Sequence, residues 1–437
     1  MNKNSRSPKP RAFVTLAVLT FGCLGVLALS WSLDQNRNYH TLGYILLSYL
    51  LLWSVIFVWA GGSKTEKATR FILTTASVAF TVGLLELLVV AKVIDFRVIF
   101  DTPVYEPWRN PNSRLDSKLL HIPKPHFRWE FGGIEYRYDQ HGFRNESDMD
   151  AADIIVIGDS MIDGWRVPAT EMLTAHLAEQ MQKKVANLGV SWYGPQQELE
   201  VLRRYGLRLH PEACVWIFFE GNDLGDVHRY KNATRDWETF SKDFHSFRER
   251  SFIKNVVLAL QRLLDKTCPG INDQHDMRET QSGIFRNKDG NTIHIYFFYA
   301  SLPLTEYHRE ALKEVRVSLT EAYKLCRVAG ARFLVVFCPI KFRVYGTFTE
   351  FDADARPREW VINNLPNEIE AIVRENLADA QFLDLTPVFV EQAKKGSLLY
   401  HPDWDSHWSR EGHLVAASAI RDVLMRWKAK EEVDKHP

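Results

Sequence analysis

The chain has 437 residues, which is long for one domain, and its 54 Lys and Arg balance its 54 Asp and Glu. Without a net charge there is no global field to recruit nucleic acid, and neither zinc-finger spacing nor a dinucleotide glycine fingerprint occurs. The five cysteines form no Cys-x-x-Cys pair, so they indicate neither a disulfide framework nor a metal site. We therefore expect no cofactor, no metal and no nucleic-acid partner.

Three apolar stretches of membrane-spanning length occupy the first hundred residues. They are 12–33, 42–61 and 71–90, each about 20 residues and so long enough to cross a hydrocarbon core. Lys and Arg cluster before the first stretch and between the second and third, which predicts a cytoplasmic N-terminus and an extracytoplasmic chain beyond residue 95. We predict a multi-pass anchor over 1–95 in the inner (cytoplasmic) membrane. A cleaved signal peptide is the alternative for the first stretch.

Glu86 interrupts the third stretch near its outer end. An ionisable residue inside a span is by default a functional candidate. A position so close to the interface favours instead a contact with another helix, or a side chain that reaches out to the interface. Both interpretations remain open at the level of sequence.

The remainder of the chain divides into a connector and an α/β domain. Residues 96–134 are rich in proline and aromatic residues, which predicts an extended connector. Over 135–430 apolar strand patterns alternate with helical ones, which predicts a parallel sheet covered on both faces. Residues 228–300 break this rhythm and are interpreted as an insertion, either a lid or a partner surface. The predicted strands are 154–157, 185–188, 214–219, 332–337 and 381–385, and the predicted helices are 171–183, 196–204, 305–329, 368–376 and 410–428.

Polar motifs follow these strands, at the edge of an open α/β sheet where ligands bind. Acyl transfer needs a nucleophile, a base, a group that orients the base, and donors for the oxyanion. Ser160 in Gly-Asp-Ser would be the nucleophile, His407 the base and Asp405 the orienting group. The oxyanion hole would consist of the Ser160 N–H, the Gly189 N–H and the Asn222 side chain.

The motifs that contain Ser160, Gly189, Asn222 and the Asp405–His407 pair follow one another in this order. Together they resemble the motifs of the SGNH (GDSL-type) hydrolase superfamily, over about residues 135–428. The run Gly-Phe-Arg-Asn at 142–145 is similar to the lead-in of membrane-anchored bacterial members. The resemblance implies a flavodoxin-like three-layer α/β/α sandwich, no metal, and esterase, deacetylase or O-acyltransferase chemistry. This chain departs from the family in the last motif, where the family often has Asp-x-x-His and this chain has Asp405-Ser-His407. The Asp-x-His-Trp form resembles alginate-acetylation relatives, so Asp405 is preferred and Asp403 is the reserve.

The predicted function is that of an extracytoplasmic serine esterase for O-acyl esters, with acetyl esters of a small molecule, or of cell-envelope or exported polysaccharide, as expected substrates. A polysaccharide O-acetyltransferase with the same triad is an alternative, and it would need a membrane partner that delivers the acyl donor. A non-catalytic scaffold that binds glycan or protein is a third hypothesis.

Several residues beside the motifs have two interpretations each. Lys341 and Arg343 follow a strand end and are interpreted as solvated surface, with an anionic substrate as the alternative. His413 is interpreted as a packing or capping residue of the last helix, with the catalytic base as the alternative. Three tryptophans flank the motifs and are assigned to core or cleft packing, with stacking on a sugar as the alternative: Trp165, Trp192 and Trp408.

Overall fold

The computed structural model describes residues 53, 61–100, 112–244, 247–267 and 281–435. The chain divides into two units, of which unit 1 comprises residues 1–104 and 245–272, and unit 2 comprises 105–244 and 273–437. The chain thus leaves unit 2 once, returns to unit 1, and then re-enters unit 2. Of the three predicted spans, 12–33 lies outside the described residues, and so does 42–61 apart from Trp53 and Gly61.

The α-helices of the described residues are α1 Lys64–Val90, α2 Phe96–Ile99, α3 Ser160–Asp163, α4 Leu173–Met181, α5 Pro195–Val201, α6 Asp223–Arg235, α7 Trp237–Asp243, α8 Phe247–Arg250, α9 Phe252–Thr267, α10 Glu306–Val328, α11 Lys341–Tyr345, α12 Leu365–Asn376, α13 Thr386–Lys394 and α14 Arg410–Lys435. The strands are β1 Ser113–Asp116, β2 Leu120–Pro123, β3 Arg128–Phe131, β4 Ile134–Arg137, β5 Ile154–Ile157, β6 Val185–Asn187, β7 Ala213–Phe219, β8 Ser282–Arg286, β9 Thr292–Tyr296, β10 Arg332–Cys338, β11 Thr349–Glu350 and β12 Gln381–Asp384.

Unit 2 is built on a five-stranded parallel sheet with the spatial order β12-β10-β7-β5-β6. Counted along the chain this is the order 2-1-3-4-5, which is the flavodoxin-like arrangement. The order reverses between β5 and β7, so the crevice that binds ligands in such sheets opens at the carboxyl ends of these two strands. The predicted flavodoxin-like parallel sheet is confirmed.

Helices cover both faces of this sheet. In β7 the side chains of Trp216 and Phe218 join one apolar core with α10 and α12, while those of Val215 and Ile217 join a second core with α4, α13 and α14. Every residue of β7 is buried, because a central strand between two helical layers has no solvated face. This confirms the predicted three-layer α/β/α sandwich.

Part of the predicted extended connector forms hairpins instead. Strands β1 and β2 pair antiparallel, as do β3 and β4. The second hairpin turns at Gly132 and Gly133, which have φ values of 60° and 77° and so occupy a region that glycine enters without strain. Across its strands Trp129 packs on Tyr136 with ring centroids 4.7 Å apart. Cross-strand aromatic pairs stabilise a hairpin, and this contact outweighs the proline content from which an extended chain was predicted.

In unit 1 the third predicted span lies within α1. This is the only helix among the described residues that is long and apolar enough to cross a membrane, judged by length and composition. It begins several residues before the predicted span because Ser63 and Glu66 form a capping box.

The predicted insertion at 228–300 is divided between the two units. Its middle part, 245–272, belongs to unit 1, whereas β8 and β9 form a sheet with β11 in unit 2. Within unit 1, Glu86 Oε1 accepts hydrogen bonds from Ser251 Oγ at 2.8 Å and from Ile253 N at 2.9 Å. Of the two interpretations of Glu86, the structure favours a contact with another helix.

A glycine pair tests the packing beside α3. A Cβ at Gly189 would lie 2.5 Å from Ile162 Cβ and 2.8 Å from the Asp163 nitrogen, so Gly189→Ala should lower the free energy of unfolding by about 1–3 kcal/mol. Gly225 lies in α6 with no atom within 4 Å of the same position, so Gly225→Ala should be neutral or stabilise by up to about 1 kcal/mol. Thermal unfolding of the two variants checks this, and equal melting temperatures would contradict it.

Candidate active site

Ser160 lies at the carboxyl end of β5, as the first residue of α3. The turn is tight, since a Cβ at Gly158 would lie 2.9 Å from Ile162 Cγ1. Asp159 caps α3 by accepting a hydrogen bond from Met161 N at 2.9 Å. The Ser160 hydroxyl donates a long hydrogen bond of 3.4 Å to Asp159 Oδ2. The serine is therefore held at the crevice of the sheet by the backbone of its own turn.

His407 and Asp405 form a close pair on the loop before α14. Asp405 Oδ1 lies 2.6 Å from His407 Nδ1 and also accepts the His407 backbone N–H at 2.8 Å. Burial opposes ionisation of Asp405, but the hydrogen bonds and charge of His407 prevail and hold the pKa of Asp405 well below its ordinary value. An ionised Asp405 bonded to Nδ1–H leaves Nε2 of the imidazole as the proton acceptor.

Asp403, the reserve candidate, has a different role. Its Oδ2 accepts a hydrogen bond from Arg166 NH1 at 2.7 Å, and its Oδ1 accepts the Asp405 backbone N–H at 3.1 Å. Its side chain is 52% exposed, compared with 11% for Asp405. Arg166 NH1 also lies 3.3 Å from Asp405 Oδ2. The structure thus places Asp405 against the imidazole and gives Asp403 to Arg166 and the loop backbone.

The Ser160 turn and His407 share one electrostatic environment. Burial raises the pKa of Asp159 and of Asp163, the two acids that flank Ser160, and the charge of His407 is among the groups that oppose this rise. Within the described part of the chain, however, the Ser160 hydroxyl bonds to Asp159 and forms no hydrogen bond with His407. To transfer its proton to His407 the hydroxyl must first rotate away from Asp159. Such loose contacts are common before substrate binds.

The two other predicted oxyanion residues differ in their surroundings. Asn222 Nδ2 donates to Asp226 Oδ2 at 2.8 Å, and its side chain also hydrogen-bonds to Asp159, so it lies beside the Ser160 turn. The Gly189 N–H donates to Asn187 Oδ1 at 2.8 Å. It could serve an oxyanion only by giving up that bond.

The role of Lys341 was missed by the sequence interpretation. Its side chain is buried, and Nζ donates to the carbonyl oxygens of His401, Asp403 and Asp405 at 2.6, 2.8 and 2.6 Å. Burial lowers the pKa of Lys341 to about 7, against the nearby negative charges of Asp405 and Asp403. Three carbonyl acceptors match the three donors of an ammonium group. The prediction of a solvated or substrate-facing lysine is wrong, because this lysine supports the backbone of the loop that carries Asp405.

Arg343 is not solvated surface either. Arg343 NH2 contacts Glu220 Oε1 at 2.5 Å, and both side chains are nearly inaccessible, with 5% and 3% exposure. Glu220 directly follows β7 and Arg343 lies in α11, after β10. The two buried charges neutralise each other within the protein. The sequence signal for Lys341 and Arg343 was their position shortly after a buried strand. At such a position a side chain can be buried beneath the neighbouring loops.

The lead-in run at 142–145 supports the motifs from outside the sheet. Arg144 is buried and donates to the carbonyl oxygens of Asp163, Gly164 and Val167, all directly after Ser160 in the chain. Asn145 and Asn187 exchange hydrogen bonds of 2.9 and 3.0 Å, which ties the lead-in to the motif of Gly189.

Four carboxyl groups are buried beside Asn222. Asp159, Glu198, Asp223 and Asp226 are each at most 3% exposed. Burial raises the pKa of all four, that of Asp226 to about 7. Arg229 pairs with Asp226. Among the residues that the structure describes, no group of three or more His, Cys, Asp or Glu is arranged to hold a metal ion.

The remaining candidates are mostly structural. His413 is buried and its Nδ1 accepts the Leu173 N–H at 3.1 Å, in agreement with a packing role. Trp408 is fully buried in the core. Trp165 stacks on Phe131 at 5.1 Å, and Trp192 lies under the Arg229 guanidinium at 5.0 Å. The packing interpretation therefore accounts for all three tryptophans.

Comparison with known proteins gives one matching family model and several matching solved structures. The model of the GDSL-like lipase/acylhydrolase family matches residues 156–415, more than half of the chain. Among solved structures, a G-D-S-L family protein from Desulfitobacterium hafniense DCB-2 is 12% identical, with 62% of this chain and 98% of that chain covered and a TM-score of 0.32. A catalytic mutant of Axe2, an acetylxylan esterase from Geobacillus stearothermophilus, is 13% identical, with 62% and 93% covered and a TM-score of 0.32. A search of curated protein sequences finds no match.

A matched pair of carboxamide variants tests which acid orients His407. Asp405→Asn should lower kcat/KM by about 10²–10⁴-fold, because a neutral amide does not stabilise the imidazolium and its NH2 can donate to Nδ1, which fixes the wrong tautomer of His407. Asp403→Asn should cost less than about tenfold, since it weakens only a half-exposed ion pair. Steady-state hydrolysis of a chromogenic ester measures both. A larger loss in Asp403→Asn would reverse the assignment.

The raised pKa of Asp226 predicts a pH-dependent stability. Between about pH 4 and its folded pKa of about 7 the folded state binds a proton that the unfolded state does not, so this contribution is complete below pH 4 and is lost as pH rises through 7. Stability should fall with rising pH by up to about 1.4 kcal/mol per pH unit for this group. Asp226→Asn should flatten that slope, whereas Asp422→Asn, on the exposed face of α14, should not. Melting temperatures across this range provide the measurement, and parallel slopes would exclude Asp226 as the source.

Proposed function

Because the chain belongs to the GDSL-like lipase/acylhydrolase family and is an ester hydrolase, we propose that it is a serine esterase for O-acyl esters. Ser160 would be the nucleophile, His407 the general base and Asp405 the group that orients the base. The observation that carries this proposal is the 2.6 Å contact of Asp405 with His407 Nδ1. In addition, burial raises the pKa of both acids that flank Ser160, Asp159 and Asp163, and the charge of His407 opposes this rise.

In the proposed reaction the Ser160 hydroxyl gives its proton to His407 Nε2 while Oγ attacks the ester carbonyl. The resulting oxyanion would be stabilised by the Ser160 N–H, by Asn222 Nδ2 once it releases Asp159 or Asp226, and by the Gly189 N–H once it leaves Asn187. His407 then returns the proton to the departing alcohol, leaving an acyl-serine. Water, deprotonated by His407, attacks this ester and releases the carboxylic acid and free Ser160. Ionised Asp405 stabilises the imidazolium in both halves of the cycle.

The substrate and location are part of the same proposal. Helix α1 is suited to cross a membrane, and the Lys and Arg residues at its start, before the apolar stretch 71–90, favour an extracytoplasmic unit 2 in the inner membrane. We place the further spans of the multi-pass anchor at 12–33 and 42–61. An esterase held there would act on acylated small molecules, or on O-acetyl groups of cell-envelope or exported polysaccharide. If a sugar hydroxyl replaced water in the second step, the same triad would act as an O-acetyltransferase, supplied by a membrane partner that delivers the acyl group.

The nucleophile is tested in the full-length protein with p-nitrophenyl acetate. Ser160→Ala should lower kcat by more than about 10³-fold, while Ser147→Ala, at an exposed serine, should leave it unchanged. A serine-reactive phosphonate should label wild type and Ser147→Ala but not Ser160→Ala.

Added oligosaccharide separates the candidate functions in this assay. Free acetate as the only acyl product supports an esterase, and acetylated sugar supports a transferase. Folded wild-type protein that is no more active than Ser160→Ala, and that the phosphonate does not label, would overturn the enzymatic proposal in favour of a binding scaffold.

A further inference from the structure

The segment that contains α8 and α9 is separated from the first part of unit 1 by the intervening residues 105–244 of unit 2. Residues 245–272 interrupt unit 2 in sequence but belong to unit 1, together with α1 and α2. An insertion of this kind extends the anchor unit. The contacts within unit 1 indicate what it does.

Two hydrogen-bonded contacts attach α9 to the end of α1 and to the chain that follows. At its start, Ser251 Oγ and Ile253 N donate to Glu86 Oε1, which lies one turn before α1 ends at Val90. Further along α9, Arg262 NH2 donates to the Phe100 carbonyl at 2.7 Å. Helix α9 therefore runs from the last turn of α1 towards the residues that leave it.

Aromatic and charged contacts fix the same region. The Phe252 ring lies 4.9 Å from that of Phe96 in an edge-to-face arrangement. Asp95 forms an ion pair with Arg97 at 2.6 Å. Burial would raise the pKa of Asp95, but the hydrogen bonds and charge of Arg97, together with the charge of Arg250, lower it. A cluster of charges directly after an apolar helix is typical of the polar boundary of a membrane.

Helix α9 exposes large apolar side chains on one face and buries both an apolar and a polar side chain, Val257 and Asn255. Ile253 and Leu260 are 44% and 36% exposed, and with Val256 and Leu263 they recur at the i, i+3, i+7 spacing of one helix face. The polar Asn255 is fully buried, and its Nδ2 donates to the Ser251 carbonyl at 2.7 Å. An apolar stripe that faces outward suits an apolar surrounding medium.

The neighbouring helix has the same surface. In α1 the large apolar side chains are exposed, with Phe80 at 73% and Leu87 at 61%. The apolar stripe of α9 is therefore attached to a helix that is itself suited to lie in lipid. The basic residues Arg248 and Arg250 lie just before α9, where they would meet phosphate headgroups, while Lys254 pairs with Glu249. Amphipathic helices with this distribution lie in the plane of the membrane interface.

We propose that α9 is an interfacial helix that lies at the headgroup–acyl boundary, with Ile253, Val256 and Leu260 inserted among the lipids. This inference rests on the proposed membrane anchoring through α1. It assigns residues 245–272 to the anchor, in place of a lid or a surface for a soluble partner.

Site-directed spin labelling of the full-length protein in phosphatidylcholine–phosphatidylglycerol nanodiscs tests the proposal. Cys23 and Cys268 are replaced by serine, and the buried Cys214, Cys326 and Cys338 are retained. Single labels are introduced by Leu260→Cys, by Phe80→Cys in α1, and by Val317→Cys, at a 62% exposed aliphatic position on α10. Power saturation compares collision with oxygen, which concentrates in lipid, and with a water-soluble nickel chelate. Turnover of p-nitrophenyl acetate shows that each labelled protein is folded, and Ile253→Cys replaces Leu260→Cys if that variant is inactive.

The expected result is an oxygen-to-nickel accessibility ratio at Leu260 that is several-fold above that at Val317 and approaches that at Phe80. A ratio at Leu260 equal to that at Val317, with Phe80 still in lipid, would overturn the interfacial helix and leave the anchoring intact. Nickel access at Phe80 as well would overturn both. Exclusion of both reagents at Leu260 would indicate a protein surface over α9 and would also overturn the proposal.

Discussion

The buried ammonium group of Lys341 determines the shape of the loop on which the candidate chemistry depends. A cation in the protein interior is costly unless its donors are satisfied, and here each donor meets a carbonyl oxygen of the segment 401–405. The loop therefore cannot rearrange without leaving both the lysine and the carbonyl groups unpaired. Because Lys341 begins α11 directly after β10, the position of the Asp405–His407 pair is tied to a central strand of the sheet.

The four buried carboxyl groups place a second constraint on the site. Ionised, they would surround Ser160 with negative charge and oppose the oxyanion that forms during acyl transfer. Burial raises their pKa values, which reduces the negative charge that they carry at a given pH, and the Arg229 guanidinium compensates Asp226. A neutral carboxyl group can also donate a hydrogen bond. The cluster thus fixes Asn222 between Asp159 and Asp226 without the electrostatic penalty that its composition suggests.

Unit 1 and unit 2 differ in where their apolar side chains lie. In unit 2 apolar strands are covered on both faces by helices, whereas in unit 1 the large apolar side chains of α1 face outward. Glu86 illustrates the consequence, because an acid in such a helix needs a partner, and the partner comes from residues 251–253. The insertion thus supplies hydrogen bonds to Glu86 Oε1 that the apolar helix could not supply by itself.

The sequence by itself determined the elements of unit 2 and the order of its motifs, since strand and helix periodicities are local: β5 coincides with the predicted 154–157, and α10 lies within one residue of 305–329 at each end. Motif order then sufficed to predict the sheet and the family. Only the tertiary structure decided that Lys341 is buried, that Asp405 contacts the imidazole while Asp403 meets Arg166, that the Gly189 N–H already has an acceptor, and that residues 245–272 return to α1. Each depends on a contact between residues far apart in the chain, or on which of several nearby polar groups a donor reaches. No local pattern of residue types encodes that choice.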